Sequence, residues 1–370
     1  MMLEIYEREV RIPNSSTIAS LNHRINRELW ESEIPVRFVV TASDETEYQC
    51  EIGVLVDKEN RVTEKIGNLF EFRRRGSEAI DKFNAVLLIP TGIGAEIGGH
   101  AGDSTAVAQL LAQNCDTLVI HPNIVNASDI NEMPPNSLYV EGSIITRMLM
   151  GTIGLQPVRA NRVLVVIDQH ESRHFIDIAI NSVSAARAIY GLNCPEVVCL
   201  ETPIRMKARY AESGRAVGHV TGLERCLEFL EETQNCFDAI AFSSTIHVPF
   251  EYHLGYFERK GEMVNPWGGV EAMLTHTMSS IFNVSTAHSP MFENQEIETL
   301  ETGIVDPRMA AEAVSGAFLQ CILKGLQRSP KIITDPLIVV RSEIFSVEDV
   351  SCLVIPNGCL GLPTLAALEQ

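Results

Sequence analysis

A chain of 370 residues with 45% hydrophobic content can fill one large α/β domain with an appendage, or two medium domains. Its 29 Lys and Arg stand against 48 Asp and Glu, a formal net charge of −19, so nucleic acid is excluded as a first expectation because such a surface repels phosphates. The one concentrated basic run, Arg73-Arg74-Arg75, lies between Glu71 and Gly76 and reads as a solvated turn.

The opening Met-Met-Leu-Glu-Ile-Tyr-Glu-Arg-Glu carries acids where a secretory signal needs a basic end. No run approaches the roughly 18 apolar residues of a membrane span, so no membrane partner is expected. Nine scattered cysteines without a Cys-x-x-Cys pair fit reduced thiols in a cytoplasmic protein and not a cysteine zinc site.

Residues 1–80 read as a small α+β unit: a polar start, a helix near 15–30, and strand-like segments at 36–42 and 48–56. From residue 84 short apolar strands alternate with polar loops and helices, the pattern of a parallel sheet covered by helices. Strands are expected at 85–90, 117–121, 162–168, 196–201, 238–243, 337–340 and 352–356. Helices are expected at 104–113, capped by Ser104 and stopped by Asn114, and at 175–190, 222–234, 269–282 and 307–325. The last opens with Asp306-Pro307 and closes at Gly325. The predicted fold class is α/β, a mostly parallel, Rossmann-like sheet with a small N-terminal α+β unit. Residues 81–370 form the ligand-binding part, in two lobes (81–160 with the C-terminal part, and 161–300).

Ligands of open α/β sheets bind at the carboxyl ends of the strands, so the strand-end loops carry the chemistry. After 85–90 come Thr91, Gly92, Gly94, Gly98, Gly99, His100 and Asp103, a loop whose backbone could approach an anion closely. Its glycines lack the spacing of a dinucleotide fingerprint, and His121, not an acid, ends the next strand, so NAD(P) is not expected. That strand leads into Asn123, Asn126 and Asp129. Capping explains the polar turn, whereas a histidine closing an apolar strand points into the crevice. Farther on lie Ser243, Ser244 and His247, then Trp267, Gly268, Gly269 and Glu271, in a long 243–271 segment that reads as a lid. The segment leads into a helix carrying His276, and His288 and Asp306-Pro307-Arg308 are candidates of lower weight. The chain closes with Asn357, Gly358 and Cys359 between a strand and a helix start, an arrangement suited to phosphate or carboxylate.

The leading expectation is an enzyme acting on a small anionic metabolite. His121, His100, Asp129 and Asp103 would supply general acid/base chemistry, and the 91–104 and 357–364 loops would hold the anion. Two alternatives stand beside it. A metal-dependent hydrolase or lyase could draw on His100, Asp103, His121, Asp129 and His247, which supply enough N/O ligands for a divalent metal without any tight spacing among them. A non-catalytic metabolite sensor or assembly subunit would use the same loops. A homo-oligomer is compatible with all three.

The motifs PTGIGAEIGGHAGDS (90–104), HPNIVNASDINEMP (121–134), NPWGGVEAML (265–274), GIVDPRMAAE (303–312) and NGCLGLPTLAALEQ (357–370) resemble an uncharacterised family, known only as a domain of unknown function, in oxygenic phototrophs and some archaea. That resemblance implies no catalytic residues. It implies that the closing motif normally runs on into another strand. Cys359 in its glycine-rich loop is also similar to the thiol of aspartate/glutamate racemases, a type that needs a second cysteine.

Overall fold

The structure, a computed structural model, describes residues 3–15, 17–93, 98–259 and 261–370. Strand Leu3–Pro13 alternates with the period of two of a strand, and its buried set changes face midway: Leu3 and Ile5 enter one core, Val10 and Ile12 another on the opposite side. It runs antiparallel to Glu47–Asp57 along its whole length, from Leu3 opposite Asp57 to Pro13 opposite Glu47. On its other side it pairs with Ala216–Thr221. Helix Ile18–Glu28 starts at Thr17, whose hydroxyl accepts from the Ser20 amide, and lays Ile18, Leu21 and Ile25 on the core.

Residues 1–80 are therefore stitched into a large mixed sheet. Its order is Val197–Cys199, Val163–Ile167, Ala239–His247, Arg205–Tyr210, Ala216–Thr221, Leu3–Pro13, Glu47–Asp57, Glu33–Ser43, Leu360–Gly361, with Ser285–Met291 added beside Ala239–His247. The strands around Ala239–His247 are parallel, as expected. The half from Arg205 to the Leu360–Gly361 edge is antiparallel. A separate, wholly parallel sheet has the order Cys352–Val354, Asn84–Leu87, Thr117–Ile120, Ser137–Tyr139. The fold is α/β, with the parallel strands divided between two sheets. The larger sheet turns antiparallel at the hairpin Arg205–Tyr210/Ala216–Thr221, whose first strand alternates buried and accessible residues. Residue 80 is not a packing boundary either, because Ile18, Phe38 and Ile52 share one core with Val86, Val119 and Ile144.

Two expected elements differ. The apolar run 337–340 is a turn of helix, Pro336–Val339, because Asp335 caps it through the Leu337 amide and Pro336 occupies its first turn. Capping chemistry overrides β-branched propensity there, and Leu337 and Val340 stay exposed. The expected 307–325 helix is broken into a 3-10 turn Pro307–Met309 and helices Ala310–Ala313 and Leu319–Leu326. Asp306 does cap its start, accepting from the Arg308 amide. Ser315 and Gly316 lie in the break, and the Ser315 hydroxyl bonds to Asp129 and to the Ala317 carbonyl instead of supporting a helix.

Candidate functional site

A cavity of about 340 Å³ opens between the two sheets. Thr91, His121 and Glu141 reach it from beyond the carboxyl ends of Asn84–Leu87, Thr117–Ile120 and Ser137–Tyr139, the edge where parallel sheets bind ligands. The facing wall comes from Ser285–Met291 and helix Gly268–Phe282. The described lining includes four histidines (121, 253, 276, 288) and five glutamates (141, 271, 293, 298, 312), and no lysine or arginine. Its size is at the lower end for small-molecule pockets.

Glu141 caps helix Gly142–Leu149, accepting from the amides of Ser143 at 3.0 Å and Ile144 at 3.4 Å and from the Ser143 hydroxyl. Burial works to raise its carboxyl, but His276 and Ser143 outweigh it and hold the group at about 2, so Glu141 is ionised at neutral pH. Its Oε1 lies 3.0 Å from Nε2 of His276, within ion-pair reach yet not aligned as a hydrogen bond. That oxygen and Nδ1 of His276 are both buried without a hydrogen-bond partner. His121 closes the group. Burial pushes its imidazole down to about 4 against the pull of Glu141, and its Nδ1 accepts from the Asn123 amide. A Cβ on Gly142 would stand 3.0 Å from Nε2 of His276 and 3.2 Å from Nε2 of His121. Glycine at that helix start lets the two rings close over it.

A second array runs Glu271, His288, Ser244. Oε1 of Glu271 is 3.1 Å from Nδ1 of His288, and Nε2 of His288 is 2.9 Å from the Ser244 hydroxyl. The atoms match those of a serine hydrolase triad. Exposure decides against that chemistry: Ser244 is 1% exposed and lies outside the lining, whereas the Glu271 side chain is 23% exposed and faces the cavity. The end presented to a ligand is the carboxylate, with the imidazole fixing its orientation from behind. A third array runs from His100 through Tyr256 to Glu312. Nδ1 of His100 is 2.8 Å from the Tyr256 hydroxyl, which donates to Oε1 of Glu312 at 3.2 Å, and the Ala101 amide donates to the same oxygen at 2.8 Å. Burial pushes the Glu312 carboxyl up to about 7, helped by the nearby charges of Glu271 and Asp103. Among the described residues no three His, Cys, Asp or Glu groups converge at a geometry suited to a metal ion.

The family model described as a protein of unknown function, DUF3326, matches residues 84–370. The chain belongs to this family. The matched span contains every described lining residue of the cavity. A Synechococcus protein named an uncharacterized lipoprotein is 30% identical over 282 residues, which cover 75% of this chain and 76% of that protein. No solved structure matches the chain.

Within the DUF3326 span, the cavity gathers Thr91, His121, Asn123, Asn126, Trp267 and Glu271 from the residues predicted by sequence. The 98–103 and 121–126 loops are neighbours as expected: the Gly102 amide donates to Asn123 O at 2.9 Å, and Asn123 Nδ2 donates to Gly98 O at 3.2 Å. Others hold the walls from behind. His100 is buried against Tyr256, and Asp103 accepts the Gly98 amide with both oxygens. Asp129 is exposed and bonded to Ser315. Ser243 accepts from the Asp168 amide through its carbonyl and lines only a small neighbouring hollow, while Gly99 is buried outside the lining. His247 is exposed, bonded to Oε2 of Glu293, a lining residue. Gly94 lies outside the described residues.

The glycines 92, 268 and 269 lie outside the described lining, in close contact with backbone. Added Cβ atoms would come within 2.9 Å of Gly269 N, 2.7 Å of Gly92 N and 1.9 Å of Ala216 O respectively. Nor does the terminal loop reach the cavity. Asn357, Gly358 and Cys359 precede the Leu360–Gly361 strand at the edge of the mixed sheet, where burial raises the Cys359 thiol beside Arg215. The 243–271 segment is a wall rather than an irregular lid, since helix Phe250–Glu258 turns His253 and Tyr256 inward. Sequence reading did not single out Glu141, Glu293 or Glu312. Glu141 follows a strand of only three residues, and Glu312 sits where the chain reads as one unbroken helix. The detectable signal was Glu141-Gly142-Ser143, an acid at a helix start.

Proposed function

We propose that the chain is an enzyme that binds a small molecule in this cavity and moves protons on it, with Glu312 as general acid and Glu271 as general base. The observation that carries this reading is the pair of carboxylates in one cavity. Glu312 is pushed by burial to about 7, and Glu271 is held by His288 and, behind it, Ser244. A carboxyl that keeps its proton near neutrality can donate it, and a neighbour in a different setting can take one. The order of the four-stranded parallel sheet, 3-2-1-4 counted along the chain, is the Rossmann-like part of the fold and supports a ligand at its carboxyl edge. His121, neutral and beside the Glu141–His276 pair, supports proton transfer from a second side. No lysine or arginine is among the described lining, which favours a ligand other than the expected anion. Nine free, scattered thiols support a cytoplasmic setting, although the Synechococcus relative is named a lipoprotein.

The test is a thermal-shift screen of metabolites followed by NMR assay of turnover for each compound that binds. A ligand at about 100 times its dissociation constant adds roughly 2.7 kcal/mol. Glu312→Gln, which mimics the protonated acid, should keep binding and lower turnover by about 100-fold or more. If wild type turns over none of the compounds it binds, the enzyme reading is overturned in favour of a sensor.

A further inference from the structure

We infer that the ligand is a small organic cation, a primary or secondary amine on an apolar skeleton, whose N–H groups face Glu141 and Glu271 and whose skeleton lies against Trp267, Phe257 and Phe292. The inference rests on the cavity being the ligand site, and it names the class of molecule that the site takes.

The charge of the walls is one-sided. Five glutamates reach the cavity and no lysine or arginine among the described lining answers them. Arg147, whose charge reaches Glu141, lies outside the lining with Nη2 2.6 Å from Asn283 Oδ1. Glu312 keeps its proton near neutrality. Histidines stand beside the other four, His276 at Glu141, His288 at Glu271, His247 and His253 at Glu293 and His174 at Glu298, but an imidazole is a cation only when protonated. His121 is held neutral by burial, and His288 is spent between Glu271 and Ser244. A second observation concerns unmet hydrogen bonds. Glu141 is 4% exposed, and its Oε1, in a residue that lines the cavity, faces Nε2 of His276 at 3.0 Å without the alignment of a hydrogen bond, while Nδ1 of His276 is buried with no hydrogen-bond partner. A carboxylate oxygen can only accept, so the missing partner is a donor. An ammonium offers up to three N–H donors and no acceptor, whereas a phosphate or carboxylate ligand would set acceptor against acceptor and like charge against like.

The remaining wall fits the rest of such a molecule. Trp267, packed edge-on against Tyr256 and tilted against His253, has its orientation fixed by its neighbours. Phe257, Phe292 and Met291 extend the apolar surface. An aromatic face beside a carboxylate is a recurrent seat for a cation, since the ring's quadrupole and the anion attract the same charge.

The experiment titrates the full chain by calorimetry with matched amines, alcohols and carboxylates on one series of skeletons, from butyl to phenylpropyl. The amines are expected to bind about tenfold or more tighter than the matched alcohols, and the carboxylates not at all. Glu271→Gln should weaken the amine about tenfold and leave the alcohol within about twofold. Glu141→Gln, whose amide oxygen can keep the helix cap, gives the same readout if the first variant fails to fold. Carboxylates binding as well as amines, alcohols matching amines, or both variants leaving amine affinity unchanged would each overturn the cation while leaving the cavity a ligand site. Silence from all three classes, together with silence in the metabolite screen, would overturn both.

Discussion

Glu312 and His121 titrate in opposite senses over overlapping ranges of pH. Burial lifts the Glu312 carboxyl from 4.5 to about 7, so the folded chain keeps a proton that the unfolded chain has lost. Its contribution is full below about 4.5, falls as pH rises to about 7, and is flat above, worth on the order of 3 kcal/mol at most. Burial lowers His121 from 6.5 to about 4, so here the unfolded chain binds the extra proton. That contribution is full above about 6.5 and is lost as pH falls toward 4. Urea denaturation at several values between about pH 5 and 7.5 should therefore separate them. Relative to wild type, Glu312→Gln should gain stability as pH rises. His121→Asn, which keeps an acceptor for the Asn123 amide, should gain relative stability as pH falls. A flat difference for either variant would show that its group is not held as described. His121 was legible in sequence because it ends an apolar run. Glu312 was not, because nothing in an Ala-Ala-Glu-Ala stretch announces that tertiary contacts will bury its carboxyl against Tyr256.

At the scale of elements, the glycines have to be reassigned. Their number in 91–103 and at 268–269 suggested a ligand cradle, but what they permit is the approach of backbone to backbone. The turn at Gly92, the start of helix Gly268–Phe282 and strand Ala216–Thr221 meet at distances that leave no space for a Cβ. Gly269→Ala would drive its methyl to 1.9 Å from a carbonyl oxygen that the sheet holds in place. Its expected cost is on the order of 3 kcal/mol or loss of folding, read from the urea midpoint. Gly67→Ala, with nothing within 4 Å of the added atom, should change stability by less than about 1 kcal/mol. Equal midpoints for the two variants would contradict the packing role. Composition alone does not separate the two uses of glycine, since both require a missing side chain. Helix starts were signalled in part: Asp306 caps through its carboxylate as expected, whereas Asp335 caps a helical turn whose apolar run reads as a strand. The short strands Ser137–Tyr139 and Arg205–Tyr210 were missed, since three residues give no period and an alternating Arg-Met-Lys-Ala-Arg run lacks the apolar density of a core strand.

Over the whole molecule, the family span begins at residue 84, but the fold does not. Ala216–Thr221 takes Leu3–Pro13 as its partner, and Ile18, Phe38 and Ile52 complete the core under Val86 and Val119. A fragment comprising 84–370 would expose that strand edge and that core face, so it should lack a cooperative thermal transition by near-ultraviolet circular dichroism, while the full chain shows one. A fragment melting cooperatively within a few degrees of the full chain would make residues 1–80 a separable unit. The sequence by itself determined the α/β class, most of the parallel strands, the family and the place of His121 at the end of a strand, because periodicity, capping and strand-end position are local properties. Only the tertiary structure decided that the parallel strands divide between two sheets, that the terminal glycine loop lies at the far edge, and that Glu141, Glu271 and Glu312 face one cavity without a lysine or arginine among its described walls. Those are facts about which distant segments meet. The electrostatics of a pocket is set by what stands across it, and no spacing along the chain records that.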